Sequence, residues 1–277
     1  MMTKTWLITG TSTGLGRILT EQLLERGDRV VGTLRREGAL NDLQTRYGNR
    51  LQVLMLDVTD TSAIRASVNH AFEMMGHIDV VVSNAGYGLF GAAEEVSDDQ
   101  IDHQIATNLT GSIQIIRAVL PHLRAQGGGR IVQISSEGGQ IAYPNFSLYH
   151  ATKWGIEGFV ESVAKEVATF GIDFVLVEPG PTSTQFGAGL DHAAPMTEYE
   201  HTAAADVRRA IASNSFAIRS DAGKIVAAMI VAADSDCPAL RLTLGSRAYE
   251  SISTALAKRL RNLEEQKDVA LSIDARN

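Results

Sequence analysis

The sequence predicts an α/β fold in which a single doubly wound parallel sheet carries helices on both faces. Short runs rich in β-branched residues alternate with longer segments of helical period from the first residues onward. Several of these runs, such as Val80–Val82 and Phe174–Val177, are apolar at every position, as is typical of strands buried on both faces. Consecutive parallel strands need helical crossovers, so the helices must cover both sides of the sheet.

The predicted elements follow one another through short connections. In order, they are strand Trp6–Thr9, helix Leu15–Arg26, strand Arg29–Leu34, helix Ala39–Tyr47, strand Leu51–Asp57, helix Ser62–Met75, strand Ile78–Ser83, helix Asp98–Arg124, strand Arg130–Ser135, helix Leu148–Phe170 and strand Asp173–Glu178. No Pro/Ser-rich linker or charge run interrupts this series, so we predict one domain over residues 1–277.

The strand pattern stops after Ser183, and a segment rich in Gly, Ala and His extends to about Ser213. This segment is longer than the usual connection between elements, and loops of that length are often lids over a binding site. A last helix, a strand over Leu240–Leu244 and a charged helical tail from Arg247 follow. We therefore predict a mobile substrate lid at residues 183–213, with Gly187 and Gly189 as its hinge.

The composition is that of a folded globular protein, with 44% hydrophobic and 21% charged residues. A formal net charge of -7 gives no electrostatic reason to approach nucleic acid or anionic lipid, so we expect neither as a partner. Cys237 is the only cysteine and the histidines form no HExxH pair, so we expect no disulfide and no metal site. Without a recognisable signal peptide or spanning segment, the sequence predicts a cytoplasmic protein.

A glycine-rich turn follows the first strand and opens the first helix, with the sequence Thr9-Gly10-Thr11-Ser12-Thr13-Gly14-Leu15-Gly16. Glycines let the backbone turn tightly and approach a pyrophosphate, and the free N–H groups at the helix N-terminus favour negative charge. A glycine triplet alone can be no more than a tight turn. Its position between a strand and a helix predicts a dinucleotide site formed by Gly10, Ser12, Thr13, Gly14, Leu15 and Gly16.

The residues after the second strand indicate which dinucleotide binds. Folds that prefer NAD place an acidic residue there, about twenty residues beyond the glycines, to bind the ribose 2′-hydroxyl. This chain has Leu34 followed by Arg35 and Arg36. A guanidinium binds a 2′-phosphate through two charge-assisted hydrogen bonds, so the sequence favours NADP(H) over NAD(H). The alternative is that both arginines are merely solvated at a strand end.

Tyr149 and Lys153 lie four residues apart in a predicted helix, which places both on one face. A tyrosine with a pKa of about 10 is protonated at neutral pH, and a neighbouring cation lowers that pKa. Lowering it to about 7 requires roughly 4 kcal/mol, which we expect Lys153 and an oxidised nicotinamide to supply together. Tyr149 would then act as a general acid or base for a carbonyl or hydroxyl oxygen.

A Tyr-x-x-x-Lys pair occurs by chance in many helices, and here the residues around it strengthen the interpretation. Ser135-Ser136 ends a buried strand at the edge where open α/β sheets bind ligands. Asn84-Ala85-Gly86 ends the preceding strand, and Asn108 lies in the helix that joins the two strands. We expect these residues to meet at one site.

Together these motifs resemble the short-chain dehydrogenase/reductase family. The resemblance covers roughly residues 5 to 245 and rests on the glycine-rich turn, Asn84-Ala85-Gly86, Asn108, Ser136, Tyr149 with Lys153, and Pro179-Gly180. It implies a Rossmann-type fold with about seven strands and a small-molecule carbonyl or alcohol substrate. It also implies a homodimer or homotetramer built on the helices that contain Asn108 and Tyr149.

The resemblance implies a role for each member of a catalytic tetrad. Tyr149 exchanges a proton with the substrate oxygen, which Ser136 hydrogen-bonds. Lys153 binds the nicotinamide ribose, and Asn108 holds a water that links Lys153 to solvent. Further cofactor contacts are implied for Asp57 and Val58 beside the adenine, for Asn84, Ala85 and Gly86 along the cofactor, and for Pro179, Gly180, Thr182 and Thr184 near the nicotinamide amide.

Two positions depart from the family pattern. Ser83 replaces an asparagine that often precedes Asn84, and Thr13 stands where many NADP-using relatives carry a basic residue. Because Thr13 is not basic, the predicted preference for NADP(H) depends mainly on Arg35.

The predicted substrate is a neutral, largely apolar ketone, aldehyde or secondary alcohol. A carboxylate or phosphate would need a cation, and between Lys153 and Arg208 the only one is Lys165. Apolar residues expected near the site by family position are Leu89, Phe90, Ile141, Tyr143, Phe146 and Phe186. Two alternatives stay open at this point: a non-catalytic dinucleotide sensor of the same fold, and an epimerase or dehydratase that uses the same Tyr-x-x-x-Lys pair.

Overall fold

The computed structural model describes residues 3–213 and 220–275. The strands are β1 (Thr5–Thr9), β2 (Arg29–Leu34), β3 (Leu51–Met55), β4 (Val80–Ser83), β5 (Leu89–Phe90), β6 (Gly129–Ile134), β7 (Ile172–Pro179), β8 (Asp191–His192) and β9 (Arg241–Leu244). The helices are α1 (Gly14–Arg26), α2 (Asn41–Tyr47), α3 (Thr61–Met75), α4 (Asp98–Ile105), α5 (Ser112–Ala125), α6 (Ser147–Val167), α7 (Ala203–Ala212), α8 (Ala222–Asp234), α9 (Ser246–Glu265) and α10 (Lys267–Ser272).

The main sheet has seven strands in the order β3-β2-β1-β4-β6-β7-β9, and all neighbouring pairs are parallel. The chain builds outward from β1 to β3 and then returns to the other side of β1 with β4. This reversal is a topological switch point, and open α/β sheets bind ligands in the crevice at the carboxyl ends of the strands beside it. The predicted doubly wound, Rossmann-type fold is confirmed.

Each face of the sheet has its own hydrophobic core. On one face, Leu7 and Val31 pack in a cluster that includes residues of α3, α5 and α6. On the other, Ile8 and Val30 pack in a cluster with residues of α1, α2 and α8. Successive side chains of one strand point to opposite faces, so burial on both sides explains why the strand sequences are apolar at every position.

The structure differs from the predicted elements mainly in the connections. The predicted helix Asp98–Arg124 contains a π-helical turn at Ala106–Gly111, between α4 and α5. The expectation that residues 183–213 contain no strand is wrong, because β8 pairs with β5 in a separate small sheet. These two strands are only two residues long each, too short for a periodic pattern to reveal.

None of the helices in the described parts of the chain combines the length and the apolar character that a membrane crossing requires.

Candidate active site

A cavity of about 810 Å³ runs along the carboxyl edge of the sheet, from the turn after β1 to α7. It is lined by nearly all the residues predicted from the sequence to form the site. They are Gly10, Ser12, Thr13, Gly14, Leu15, Arg35, Arg36, Asp57, Val58, Asn84, Ala85, Gly86, Ser136, Tyr149, Lys153, Pro179, Gly180, Thr182 and Thr184. Gly16 and Asn108, also predicted for the site, do not line the cavity.

The glycine-rich turn forms an open cradle at the N-terminus of α1. A Cβ added at Gly10 would lie 2.9 Å from the Ala85 Cα, and one at Gly16 would lie 2.3 Å from the Gly10 carbonyl oxygen. Gly16 therefore contributes close packing rather than a surface. Gly14 has a φ of +58° and faces open space, and the first turn of α1 has neither an acidic residue nor a side-chain cap. The cradle thus presents uncapped N–H groups of the kind that bind phosphate.

Asn84 connects the end of β4 to this cradle. Its Nδ2 donates hydrogen bonds to the carbonyl oxygens of Thr9 (2.9 Å) and Gly10 (3.0 Å). The Thr9 hydroxyl accepts hydrogen bonds from the backbone N–H groups of Asn84 (3.0 Å) and Ala85 (3.1 Å). The two loops are therefore fixed against each other on either side of the switch point.

Arg35 and Asp57 lie at the carboxyl ends of two neighbouring strands, β2 and β3. The Arg35 Nη1 is 3.8 Å from the Asp57 Oδ2, and 65% of the Arg35 side chain is exposed. Burial raises the pKa of Asp57, but hydrogen bonds from Thr59 and the charge of Arg35 outweigh that effect and lower it overall. A mostly exposed guanidinium at this end of the cavity is available to bind an anion.

Tyr149, Lys153 and Ser136 come together over the end of β6. Tyr149 and Lys153 are both buried, and the Lys153 ammonium donates to the Ile134 carbonyl oxygen at 2.9 Å. The same ammonium lies 5.6 Å from the centre of the Tyr149 ring. The Ser136 hydroxyl accepts from the Gly138 N–H at 3.1 Å and is hydrogen-bonded to the Tyr149 phenol.

The expected lowering of the Tyr149 pKa toward 7, which Lys153 and an oxidised nicotinamide would produce together, stays a prediction. Burial raises the pKa of Tyr149 to about 12, although the hydrogen bond with Ser136 opposes the rise. Burial also lowers the pKa of Lys153 to about 8, against the charge of Glu157. Burial thus favours the neutral form of the Tyr149 phenol at neutral pH.

Asn108 lies in the π-helical turn, an irregularity that often marks functional positions in helices. Its side-chain amide makes two hydrogen bonds to the Tyr87 backbone. Oδ1 accepts from the Tyr87 N–H at 3.0 Å, and Nδ2 donates to the Tyr87 carbonyl at 2.8 Å. This explains why Asn108 lies behind the cavity wall. Its role in linking Lys153 to solvent stays a prediction.

The end of the cavity beside Tyr149 is largely apolar. Its apolar lining comprises Tyr143, Phe146, Phe186, Leu190 and Ile211. Three residues expected there do not line it: Ile141 faces a second cavity, and Leu89 and Phe90 pack behind the wall, the Phe90 ring 5.1 Å from that of Phe146.

Sequence reasoning missed Glu137, a buried acid directly after Ser136. Burial raises the pKa of Glu137, and its Oε2 accepts a hydrogen bond from the Ser251 hydroxyl at 3.0 Å. Its position directly after Ser136 could have indicated from the sequence that Glu137 lies at the site.

The model of a known protein family, short chain dehydrogenase, matches residues 4–195. The chain belongs to the short-chain dehydrogenase/reductase family. It is therefore an oxidoreductase of that family, as the motifs predicted. Oxidoreductase BOA17 from Botryotinia fuckeliana is 38% identical over 253 residues, which is 90% of this chain and 91% of that protein.

Solved structures show the same relationship. The crystal structure of a short-chain dehydrogenase from Streptomyces avermitilis superposes with a TM-score of 0.91 at 36% identity, and the match covers 98% of each chain. ElxO with NADP bound shares the fold, with a TM-score of 0.73 at 24% identity over 87% of this chain and 97% of that one. It is one of several solved neighbours with NADP or NADPH bound.

Proposed function

We propose that this protein is an NADP(H)-dependent carbonyl reductase, or alcohol dehydrogenase in the reverse direction, for neutral and largely apolar substrates. The observation that carries this proposal is a buried tyrosine, hydrogen-bonded to Ser136, at the aromatic end of a cavity that begins at a glycine-rich cradle suited to phosphate. A general acid must be protonated before it can act, and Tyr149 meets that condition at neutral pH.

Two residues of the tetrad, Tyr149 and Ser136, would bind the substrate oxygen, and Tyr149 would donate a proton to it. In the reducing direction, the Tyr149 hydroxyl donates its proton to the substrate oxygen while the Ser136 hydroxyl hydrogen-bonds the same oxygen. The substrate carbonyl becomes a hydroxyl, and Tyr149 regains its proton from solvent. When bound, the nicotinamide supplies the hydride to the carbonyl carbon. The nearby Lys153 ammonium stabilises the negative charge left on Tyr149 and binds the nicotinamide ribose.

The cavity has the features that a dinucleotide requires. The cradle from Gly10 to Leu15 would bind the pyrophosphate, while Asp57 and Val58 would flank the adenine. Arg35, with help from Arg36, would bind the 2′-phosphate, and the exposure of the Arg35 guanidinium supports this role. At the other end, Thr182 and Thr184 would bind the nicotinamide amide. The NADP-bound structural neighbours support the same preference.

The charges around the cavity favour a neutral substrate. Among the described residues that line it, the cations are Arg35, Arg36 and Lys153, and all three would bind the cofactor. A carboxylate or phosphate on the substrate would need a further cation beside Tyr149. An apolar ketone or aldehyde needs only the aromatic surface and the hydrogen bonds of Tyr149 and Ser136.

The segment from Ser183 onward would act as the lid, with its motion confined to residues 183–190. Phe186 and Leu190 line the cavity, and Gly187 has open space around it. Beyond this point the segment is anchored to Glu95, which accepts hydrogen bonds from the Met196 N–H (2.9 Å) and from Arg208 (2.6 Å). We therefore expect the first part to move while the second stays in place.

We also propose that the protein is a homodimer or homotetramer. Ile105 at the end of α4 and Trp154 on α6 are large apolar side chains that are 37% and 43% exposed in the single chain. Both lie on the helical segments that carry, or lead into, Asn108 and Tyr149, where the family resemblance implies a subunit contact.

A panel of ketones, aldehydes and secondary alcohols, tested with NADPH and NADH, tests the proposed function. We expect NADPH consumption with apolar ketones or aldehydes, and weaker activity with anionic analogues of similar size. Tight NADP(H) binding without turnover of any carbonyl or alcohol would contradict the proposal and favour a dinucleotide sensor. Strong selectivity for carboxylate substrates would contradict the neutral-substrate assignment alone.

A further inference from the structure

A cluster of charged residues lies next to the tetrad, where α6, β7 and β9 meet. Arg241 of β9 is surrounded by Glu157 and Glu161 of α6 and Glu178 of β7. Its guanidinium donates to the Glu178 Oε1 at 2.6 Å, to the Glu161 Oε1 at 2.8 Å, and to Glu157. Glu157 is 2% exposed and Glu178 is fully buried. Such buried carboxylates need strong partners, and Arg241 provides a shared one.

The cluster holds the backbone on both sides of Ser136. The Ser135 hydroxyl donates to the Glu157 Oε1 at 2.5 Å. A Cβ added at Gly139 would lie only 1.8 Å from the same oxygen, so the turn after Ser136 packs directly on this carboxylate. The Gln140 Nε2 donates to both Glu178 oxygens, at 2.8 and 2.7 Å. The position of the Ser136 hydroxyl therefore depends on contacts made by its neighbours.

Glu157 also acts electrostatically on Lys153, one turn earlier on the same helix. Lys153 is buried, its ammonium donates to the Ile134 carbonyl, and its titratable neighbours on α6 are Tyr149, which is neutral, and Glu157. Within the described parts of the chain, the group of β6 that hydrogen-bonds the ammonium is this carbonyl oxygen. Burial opposes the charge of the ammonium, and the Glu157 carboxylate favours it.

Burial raises the pKa of Glu157, and the hydrogen bonds from Ser135 and Arg241 oppose that rise. We propose that Glu157, paired with Arg241, is a positioning residue that maintains the charge of Lys153 and fixes Ser136 through Ser135 and Gly139. This inference rests on the proposed roles of Lys153 and Ser136. Glu178 supports the arrangement by binding Arg241 from the opposite side and by holding Gln140. Glu161, whose side chain is 45% exposed, also binds the guanidinium, and in the described structure it makes no hydrogen bond to Lys153 or Ser135.

Glu157→Gln tests the charge with little change of shape, and Glu161→Gln is its matched control. The glutamine can still accept the Ser135 hydrogen bond, and Arg241 keeps two carboxylates. The titration of Lys153 is followed by NMR of its Cε in lysine-labelled protein, with Lys153→Arg used for assignment. We expect the midpoint to fall by about one pH unit in Glu157→Gln, because a favourable buried charge is lost. We expect no change in Glu161→Gln.

The pH dependence of kcat/KM for reduction gives the functional readout. Its alkaline decline should move to lower pH by the same amount in Glu157→Gln and stay in place in Glu161→Gln. A Lys153 midpoint equal to that of the unmodified protein, or equal shifts in both variants, would overturn the proposal. The NMR titration needs no turnover, so it remains decisive even if the proposed reductase activity fails.

Glu157→Asp covers the case in which the glutamine variant does not fold. The aspartate keeps the negative charge and shortens the side chain by one methylene. We expect the Lys153 midpoint of Glu157→Asp to stay within a few tenths of a pH unit of the unmodified value. A midpoint that drops by about one unit despite the retained charge would contradict the electrostatic role, because packing alone would then explain both variants.

Discussion

Burial acts in opposite directions on the two ionisable residues at the centre of the site. It raises the pKa of Tyr149 to about 12 and lowers the pKa of Lys153 to about 8. A neutral phenol and a charged ammonium are thus both stable near pH 7. The phenol can give up a proton to a substrate oxygen, and the ammonium can stabilise the charge that results. This combination suits carbonyl reduction.

The pH dependence of reduction should follow Lys153. Because the pKa of Lys153 is about 8, kcat/KM with NADPH should be level below that pH and should fall as the pH rises through it, while Tyr149 remains protonated throughout. Lys153→Arg carries a cation that does not titrate below about pH 12. We expect that variant to be slower but to show no decline between about pH 7 and pH 10. An unchanged decline in Lys153→Arg would assign it to another group.

Arg35→Asp should reverse the cofactor preference. The change replaces a phosphate-binding cation with a carboxylate that repels a 2′-phosphate and suits a free 2′-hydroxyl. We expect kcat/KM with NADPH to fall by at least about tenfold, and kcat/KM with NADH to be retained or increased. Arg36→Ala is the matched control and should have a smaller effect. If the unmodified enzyme already prefers NADH, the interpretation of Arg35 is wrong.

At the scale of elements, the parts of the site that local sequence specifies were predictable. The strand, turn and helix around Gly10 follow from neighbouring residues, and the spacing of Tyr149 and Lys153 places them on one helical face. The hydrogen bond from Lys153 to Ile134 and the convergence of Glu157 with Arg241 were not predictable. They join positions far apart in sequence, and the periodicity of hydrophobic residues in a helix or strand does not indicate such contacts.

In the lid segment, too, contacts between distant positions could not be predicted from the sequence. Its Gly-rich start near Gly187 indicated a loop, but the pairing of β8 with β5 and the anchoring at Glu95 depend on residues about a hundred positions earlier. The predicted mobile range of 183–213 therefore includes residues that other parts of the chain hold in place, and the mobility itself stays a prediction. The anchored contacts favour a shorter moving part at residues 183–190.

Limited proteolysis tests this shorter lid. Trypsin has no site there, so chymotrypsin is used, because Phe186 and Leu190 offer cleavage points. We expect cleavage at one or both sites in the free protein and protection when NADPH and a carbonyl substrate analogue are present, since closure would bury both side chains. Cleavage that ligands fail to suppress would count against the lid, as would preferred cleavage in the anchored part near Tyr199.

At the scale of the whole molecule, the cofactor cavity spans loops from both sides of the switch point. Its lining extends from Gly10 after β1 to Ile211 in α7, so a bound dinucleotide would contact loops along most of the sheet's edge. Ligand binding should therefore stabilise the entire domain. The homo-oligomeric state and the cytoplasmic location stay predictions.

Thermal unfolding measures this stabilisation without any substrate. A ligand that binds only the folded state adds about 2.7 kcal/mol at roughly 100 times its Kd. For a domain of this size, each kcal/mol raises Tm by about 2–4 °C, so NADPH should raise Tm by roughly 5–10 °C. NADH at the same concentration should raise it less, and the NADPH shift should shrink in Arg35→Asp. Equal shifts with both cofactors would contradict a 2′-phosphate site.

The central claim is that Tyr149 donates the proton to the substrate oxygen, and Tyr149→Phe tests it most directly. NADPH-dependent reduction of the best carbonyl substrate is measured beside NADPH affinity, with Tyr143→Phe as the matched control, because Tyr143 lines the same cavity but has no proton-transfer role in the mechanism. We predict that Tyr149→Phe loses about 100- to 10,000-fold in kcat with NADPH affinity nearly unchanged, and that Tyr143→Phe stays active. A Tyr149→Phe activity within about tenfold of the unmodified enzyme would contradict the account.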